Sequence, residues 1–229
     1  MKTETKQYIN MDLKTITKNI KKITNKVSNS RPILQNMYLD NNIIVATDSH
    51  RLIKINYEHD QTNQLIDPKT NEIVESDNQY PNTERIIPLT KDTNNIINIK
   101  SDEIDLIISV LKAYKHLKVS KLQLTLNEDN SQYELNINYF ELIEFNNANL
   151  KKINLSYKLE NNQLTNNKVQ KLYLKLDYFL HALEFLKDYD KATMLNNDYK
   201  IHVYDRLRPI MITTDKNDFQ YVICPLREY

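Results

Sequence analysis

The chain has 229 residues and not one of them is glycine. Glycine reaches positive φ without steric cost and lets a backbone approach a ligand closely. Phosphate-binding loops, dinucleotide-binding turns, nucleophile elbows and EF-hand loops all depend on it, so none is present in standard form. Turns and helix C-termini must instead recruit Asn or Asp, the residues next most tolerant of the left-handed region. Asn is abundant, but with Lys and Ile it reflects an AT-rich coding bias, so Asn-rich stretches carry little information by themselves.

Hydrophobic periodicity supplies the elements. Leu13, Ile16, Ile20, Ile23 and Val27 recur at spacings of three and four, which predicts a helix from Asp12 to about Val27, ended by Arg31-Pro32. Its other face carries Lys14, Lys18, Lys21, Lys22 and Lys26. A second helix is predicted over about Ser101 to Leu117, with Ser101 as N-cap and Ile104, Ile107, Ile108 and Leu111 as its stripe. A third is predicted over about Asp177 to Lys187, carrying Phe179, Leu180, Leu183 and Leu186. Strand-like runs follow each helix: Ile33–Leu39, Ile43–Thr47 and Leu52–Tyr57; then Leu122–Leu126, Tyr133–Tyr139 and Leu142–Phe145; then Ala192–Leu195, Ile201–Tyr204, Pro209–Thr213 and Phe219–Pro225. The repeated strand, helix and strands unit reads as an α+β fold, with antiparallel sheets covered on one face by helices. Between Glu58 and Glu84 lies a polar insertion, in which Leu65–Val74 reads as a small hairpin around Asp67-Pro68.

Lys and Arg number 31 against 30 Asp and Glu, so any nucleic-acid binding must come from local basic patches. No apolar stretch approaches the roughly 20 residues of a membrane span. Met1-Lys2-Thr3-Glu4 has no secretory apolar segment, and the single Cys224 cannot pair within the chain, so the expected compartment is the cytoplasm.

Two segments resemble the bacterial sliding clamp, the β subunit of DNA polymerase III. Arg31-Pro32-Ile33-Leu34, followed by Ala46-Thr47-Asp48-Ser49-His50-Arg51-Leu52, is similar to a strand and turn of its middle domain. Arg208-Pro209-Ile210-Met211-Ile212 and the chain end Tyr221–Tyr229, with Val222, Cys224-Pro225-Leu226-Arg227, resemble its C-terminal strands and tail. The resemblance implies a DNA-clamp-like fold. It also implies a pocket for short peptides of DNA polymerase or clamp-loader proteins, comprising Leu34, Thr47, His50, Leu52, Val222, Cys224, Pro225, Leu226 and Arg227. It further implies that the lysines of the first helix (Lys14, Lys18, Lys21, Lys22 and Lys26) face the backbone of double-stranded DNA without reading sequence. A solvated lysine face is the plainer alternative. No catalysis, cofactor or metal is implied: Asp48 and His50 lack a nucleophile and orienter, and the other histidines show no ligand spacing.

Three units are found where a standard clamp subunit has six. One grouping puts two units into residues 1–147 as a clamp domain resembling the middle one, and 148–229 into a shortened domain resembling the second half of the C-terminal one. In the other grouping the helix at 101–117 belongs to the second domain. The implied role is a replication accessory protein, a processivity factor if it closes a ring, of phage or mobile-element type. The alternative is a monomeric, non-encircling adaptor or decoy. Loss of the family's contact half-domain leans narrowly toward the monomer, while a trimer would suit the length.

Overall fold

The computed structural model describes residues 7–127, 132–137, 157–159, 161–164 and 171–227. In chain order the elements are α1 (Leu13–Thr24), β1 (Met37–Asp40), β2 (Ile43–Thr47), β3 (Arg51–Asn56), β4 (Gln64–Ile66), β5 (Asn95–Lys100), α2 (Ser101–His116), β6 (Lys121–Asn127), β7 (Gln132–Ile137), β8 (Tyr157–Leu159), β9 (Asn161–Leu164), β10 (Lys171–Lys175), α3 (Leu176–Thr193), β11 (Asp198–Val203), β12 (Ile210–Thr214) and β13 (Phe219–Ile223).

The first helix starts where the Asp12 carboxylate accepts the Thr15 N–H at 2.9 Å, a cap worth about 1 kcal/mol. Ile16, Ile20 and Ile23 are fully buried, but Leu13 at the expected end of the stripe lies exposed. The helix stops at Thr24, short of Val27. Pro32 then opens a 3-10 turn through Gln35, where a strand was expected, because its fixed φ and missing N–H suit a turn start. Strand β1 therefore begins only at Met37. Helix α2 has its N-cap at Lys100 rather than Ser101, and the Ser101 hydroxyl instead donates to Asp190 of α3 at 2.7 Å. Helix α3 runs to Thr193, consuming the first half of the strand expected at Ala192–Leu195. It continues because Phe185 and Tyr189 extend its buried face, packing edge-on against Phe219.

Nine antiparallel strands form the main sheet in the order β4-β1-β2-β3-β13-β12-β11-β5-β9, and four form a second in the order β10-β6-β7-β8. The helices cover one face of this framework, with α3 in contact with both α1 and α2. A single apolar core lies between, running from Ile16 through Leu111 and Phe179 to Ile223. The α+β class with helices on one face is the class expected. Strand β9 pairs with β5 at the edge of the main sheet. The Leu65–Val74 hairpin is present, joined by an Ile66–Ile73 bridge, and its β4 extends the main sheet beyond β1. The strand expected at Leu142–Phe145 and the boundary near 147 lie outside the described residues. Across that boundary β5 pairs with β11 and β6 with β10.

The missing glycines are replaced as expected in loops: Asn41, Asn42, Asn63, Asn71 and Asn217 take positive φ. The ends of α2 and α3 use Lys118 and Met194 instead, where a Cβ in the left-handed region costs about 1–2 kcal/mol.

Candidate functional site

Antiparallel pairing sets Leu52 of β3 directly opposite Val222 of β13, and Thr47 of β2 opposite Leu52. Strand alternation sends Ile53, Tyr221 and Ile223 to the helix side and Leu52 and Val222 to the other face. There they form a small apolar cluster with Val45, Tyr204 and Met211.

The turn between β2 and β3 shows why its residue types matter locally. Thr47 Oγ1 donates to the Arg51 carbonyl at 2.7 Å and accepts the Ser49 N–H at 3.1 Å. Asp48 accepts the N–H groups of His50 and Arg51 at 3.0 and 2.9 Å. Ser49 takes φ 75, and its hydroxyl accepts from the Arg31 guanidinium at 2.9 Å. Beyond β13 the tail stays attached: the Cys224 N–H donates to the His50 carbonyl and the Leu226 N–H to the Tyr173 carbonyl, both at 2.8 Å. Burial pushes the Cys224 thiol up from its ordinary range, and the nearby Asp48 charge adds to this.

The nine residues expected in the pocket thus divide by exposure. Leu34, Thr47, Leu52 and Val222 are buried; Cys224, Pro225 and Leu226 are half-buried; His50 and Arg227 are exposed. Two further walls went unread in the sequence. Tyr80 and Ile87, at the end of the polar insertion, pack on the Leu52–Val222 cluster. The run Ile86-Ile87-Pro88-Leu89 was the available signal, and Ile86 and Leu89 are about half exposed. On the other side Tyr178 of α3 stacks toward His50, ring centroids 6.3 Å apart.

Arg51 also has a role beyond its place in the motif. Its side chain is buried under the turn, bonded to Asp48 at 2.9 Å and to His181 Nδ1 at 2.7 Å, with a further bond to the Lys22 carbonyl. It also sits over the Tyr178 ring, 4.5 Å from the centroid. Arginine can only donate, so Nδ1 of His181 accepts and the imidazole is neutral. Burial lowers the His181 pKa to about 4, helped by the charges of Arg51 and Lys22.

The lysine face of α1 meets α3. Lys18 pairs with Asp188 at 2.9 Å, Lys22 with Glu184 at 2.8 Å and Lys26 with Asp177 at 3.4 Å. From the other side Lys112 and Lys115 of α2 reach Glu184 and Asp177 at 3.6 and 2.8 Å. Burial raises these three carboxyls, but the lysine hydrogen bonds and charges outweigh it, so all titrate below their ordinary range. Of the five lysines expected to face DNA, Lys14 and Lys21 alone make no ion pair among the described residues.

No helix among the described residues is long and apolar enough to cross a membrane. No family model matches the chain, and no curated protein does. Solved structures do match. The DNA polymerase III β chain from Streptococcus pneumoniae TIGR4 is similar over 100% of this chain and 67% of its own, with TM-score 0.66 and 17% identity. The sliding clamp from Bacillus subtilis matches 94% of this chain and 63% of its own, with TM-score 0.68 and 18% identity. A Pseudomonas aeruginosa sliding clamp bound to griselimycin matches 95% and 64%, with TM-score 0.64 and 13% identity. The chain spans about two thirds of the length of these clamps and carries the bacterial sliding-clamp fold.

Proposed function

We propose that this chain, with its sliding-clamp fold, is a non-catalytic DNA replication accessory protein that captures short peptides of DNA polymerase or other replication proteins. One observation carries the reading: two motifs about 170 residues apart in the sequence become one surface, with Leu52 opposite Val222 and the Cys224 N–H on the His50 carbonyl. An apolar floor with a cationic rim suits a peptide that brings Leu and Phe anchors. The peptide lies over the tail, between Tyr178 and His50 on one side and the Ile86–Leu89 run on the other.

Strand exchange of β5 with β11 and of β6 with β10 favours grouping residues 92–227 as one clamp domain and the first unit as part of another. A second reading, a non-encircling adaptor, draws on the α3 carboxylates, which take up three of the five α1 lysines. On the leading reading, a Gln-, Leu- and Phe-bearing peptide binds in a fluorescence titration and deletion of Leu226–Tyr229 abolishes binding. Unchanged affinity in the deletion would refute the pocket. Solution mass by light scattering separates the two roles, a closed ring restoring processivity and a monomer favouring the adaptor.

A further inference from the structure

Beside the tail lies a cleft of about 130 Å³. Its apolar lining is Leu172 of β10, Leu207 of the β11–β12 turn and Leu226 of the tail, and its rim is Lys171, Arg206 and Arg227. Leu207 is 64% exposed, a large aliphatic side chain left in water. It is held out by Asp205, which accepts the N–H groups of Leu207 and Arg208 at 2.7 Å and pairs with Arg208 at 3.3 Å. The three rim cations make no ion pair among the described residues, unlike Lys18, Lys22 and Lys26 on the helix face. The Leu226 N–H bond to the Tyr173 carbonyl fixes the cleft's position against the tail.

We propose that this cleft docks an acidic segment bearing one aliphatic anchor, flanking the captured peptide. The inference rests on the peptide-capture reading, because the cleft shares Leu226 and Arg227 with that surface. Charge complementarity selects the acidic partner, and the exposed Leu207 with buried Leu172 selects the aliphatic anchor. A nucleic-acid backbone would answer the cations but leave the apolar lining unused.

The test compares three peptides on the full chain: the Gln-, Leu- and Phe-bearing core, the core extended at either end by Asp-Glu-Leu, and the core extended by Lys-Lys-Leu. One acidic extension should tighten binding about fivefold, as expected of one or two exposed charge pairs. The Lys171→Glu/Arg206→Glu double variant, altering exposed side chains, should lose that gain while binding the core unchanged. No gain, or a gain that survives the double variant, overturns the cleft and leaves the core pocket standing. If neither the core nor an extended peptide binds, both readings fall. Binding of the acidic extension alone, lost in the double variant, keeps the cleft and removes the pocket. Displacement of the extension by duplex DNA, from wild type only, would assign the cleft to phosphate and overturn the peptide partner.

Discussion

The turn-and-tail surface and the helix face are held together by different physics. The first is assembled by backbone: strand pairing fixes Leu52 against Val222, and main-chain bonds tie Cys224 to His50 and Leu226 to Tyr173. Beneath it Arg51 is buried among charged, aromatic and hydrogen-bonding partners. The second is assembled by long, solvated side chains, with Lys18 and Lys26 61% and 70% exposed in their pairs. Buried polar networks fail severely when one member is removed, whereas exposed pairs contribute little. The first surface is therefore a rigid platform, and the second is an adjustable charge pattern.

The sharpest way to break this contrast is a pair of alanine substitutions. Arg51→Ala leaves Asp48 buried without its counter-ion and removes the Lys22 and His181 bonds. It should cost about 3–5 kcal/mol, read as a lowered urea midpoint. Lys18→Ala, from an equally short ion pair, should cost at most about 1 kcal/mol. Equal losses would show that the two surfaces are not mechanically distinct.

Acid titration separates the regions in a second way. His202 is 5% exposed between the hydroxyls of Thr93 and Thr213, and burial lowers its pKa to about 4, with a further push from Lys200. The unfolded imidazole titrates at its ordinary 6.5, so below that pH the unfolded chain takes up a proton the native state refuses. Stability is thus whole above pH 6.5 and falls as pH drops toward 4, by about 3 kcal/mol from His202. His181, neutral under Arg51, acts in the same direction. The α3 carboxyls sit below their ordinary range, so their contribution is whole above about pH 4.5 and is lost mainly at lower pH, beyond the histidine window. Urea midpoints measured against pH should show the first loss above pH 4, and His202→Gln should flatten it. A flat midpoint from pH 6.5 to 4 in the wild type would contradict the neutral buried histidines.

What the sequence revealed follows the same division. Alternation marked the strands because β pairing propagates residue by residue, but by itself it reads Leu52 and Val222 as core. Only the resemblance of their motifs to the sliding clamp implied that they share a surface. Tyr178 escaped notice because it sits on the apolar stripe of α3, where an aromatic reads as core. Ile87 escaped because its run closes a polar insertion. The fate of Lys18, Lys22 and Lys26 was illegible for a deeper reason: a helical charge pattern shows which face is basic, but not which face of another helix meets it. Asp188 lies 170 residues from Lys18, and nothing local couples them.

The smallest effect tests the adjustable face itself. Replacing Asp177, Glu184 and Asp188 by Asn, Gln and Asn frees Lys18, Lys22, Lys26, Lys112 and Lys115 from their carboxylate partners. The change in folding stability should be small, since each pair contributes at most about 1 kcal/mol. Association with duplex DNA should tighten without regard to sequence, and its dependence on log salt should steepen by about 0.9 for each additional phosphate the freed lysines neutralise. Reversing Lys14, Lys18 and Lys22 to Glu should do the opposite, with Lys14 contributing most cleanly because it makes no ion pair among the described residues. If the amide variant binds DNA no better than wild type at low salt, the carboxylates do not govern access to this face. The lysines are then merely solvated, and the contrast between a rigid turn-and-tail surface and a tunable helix face loses its second half.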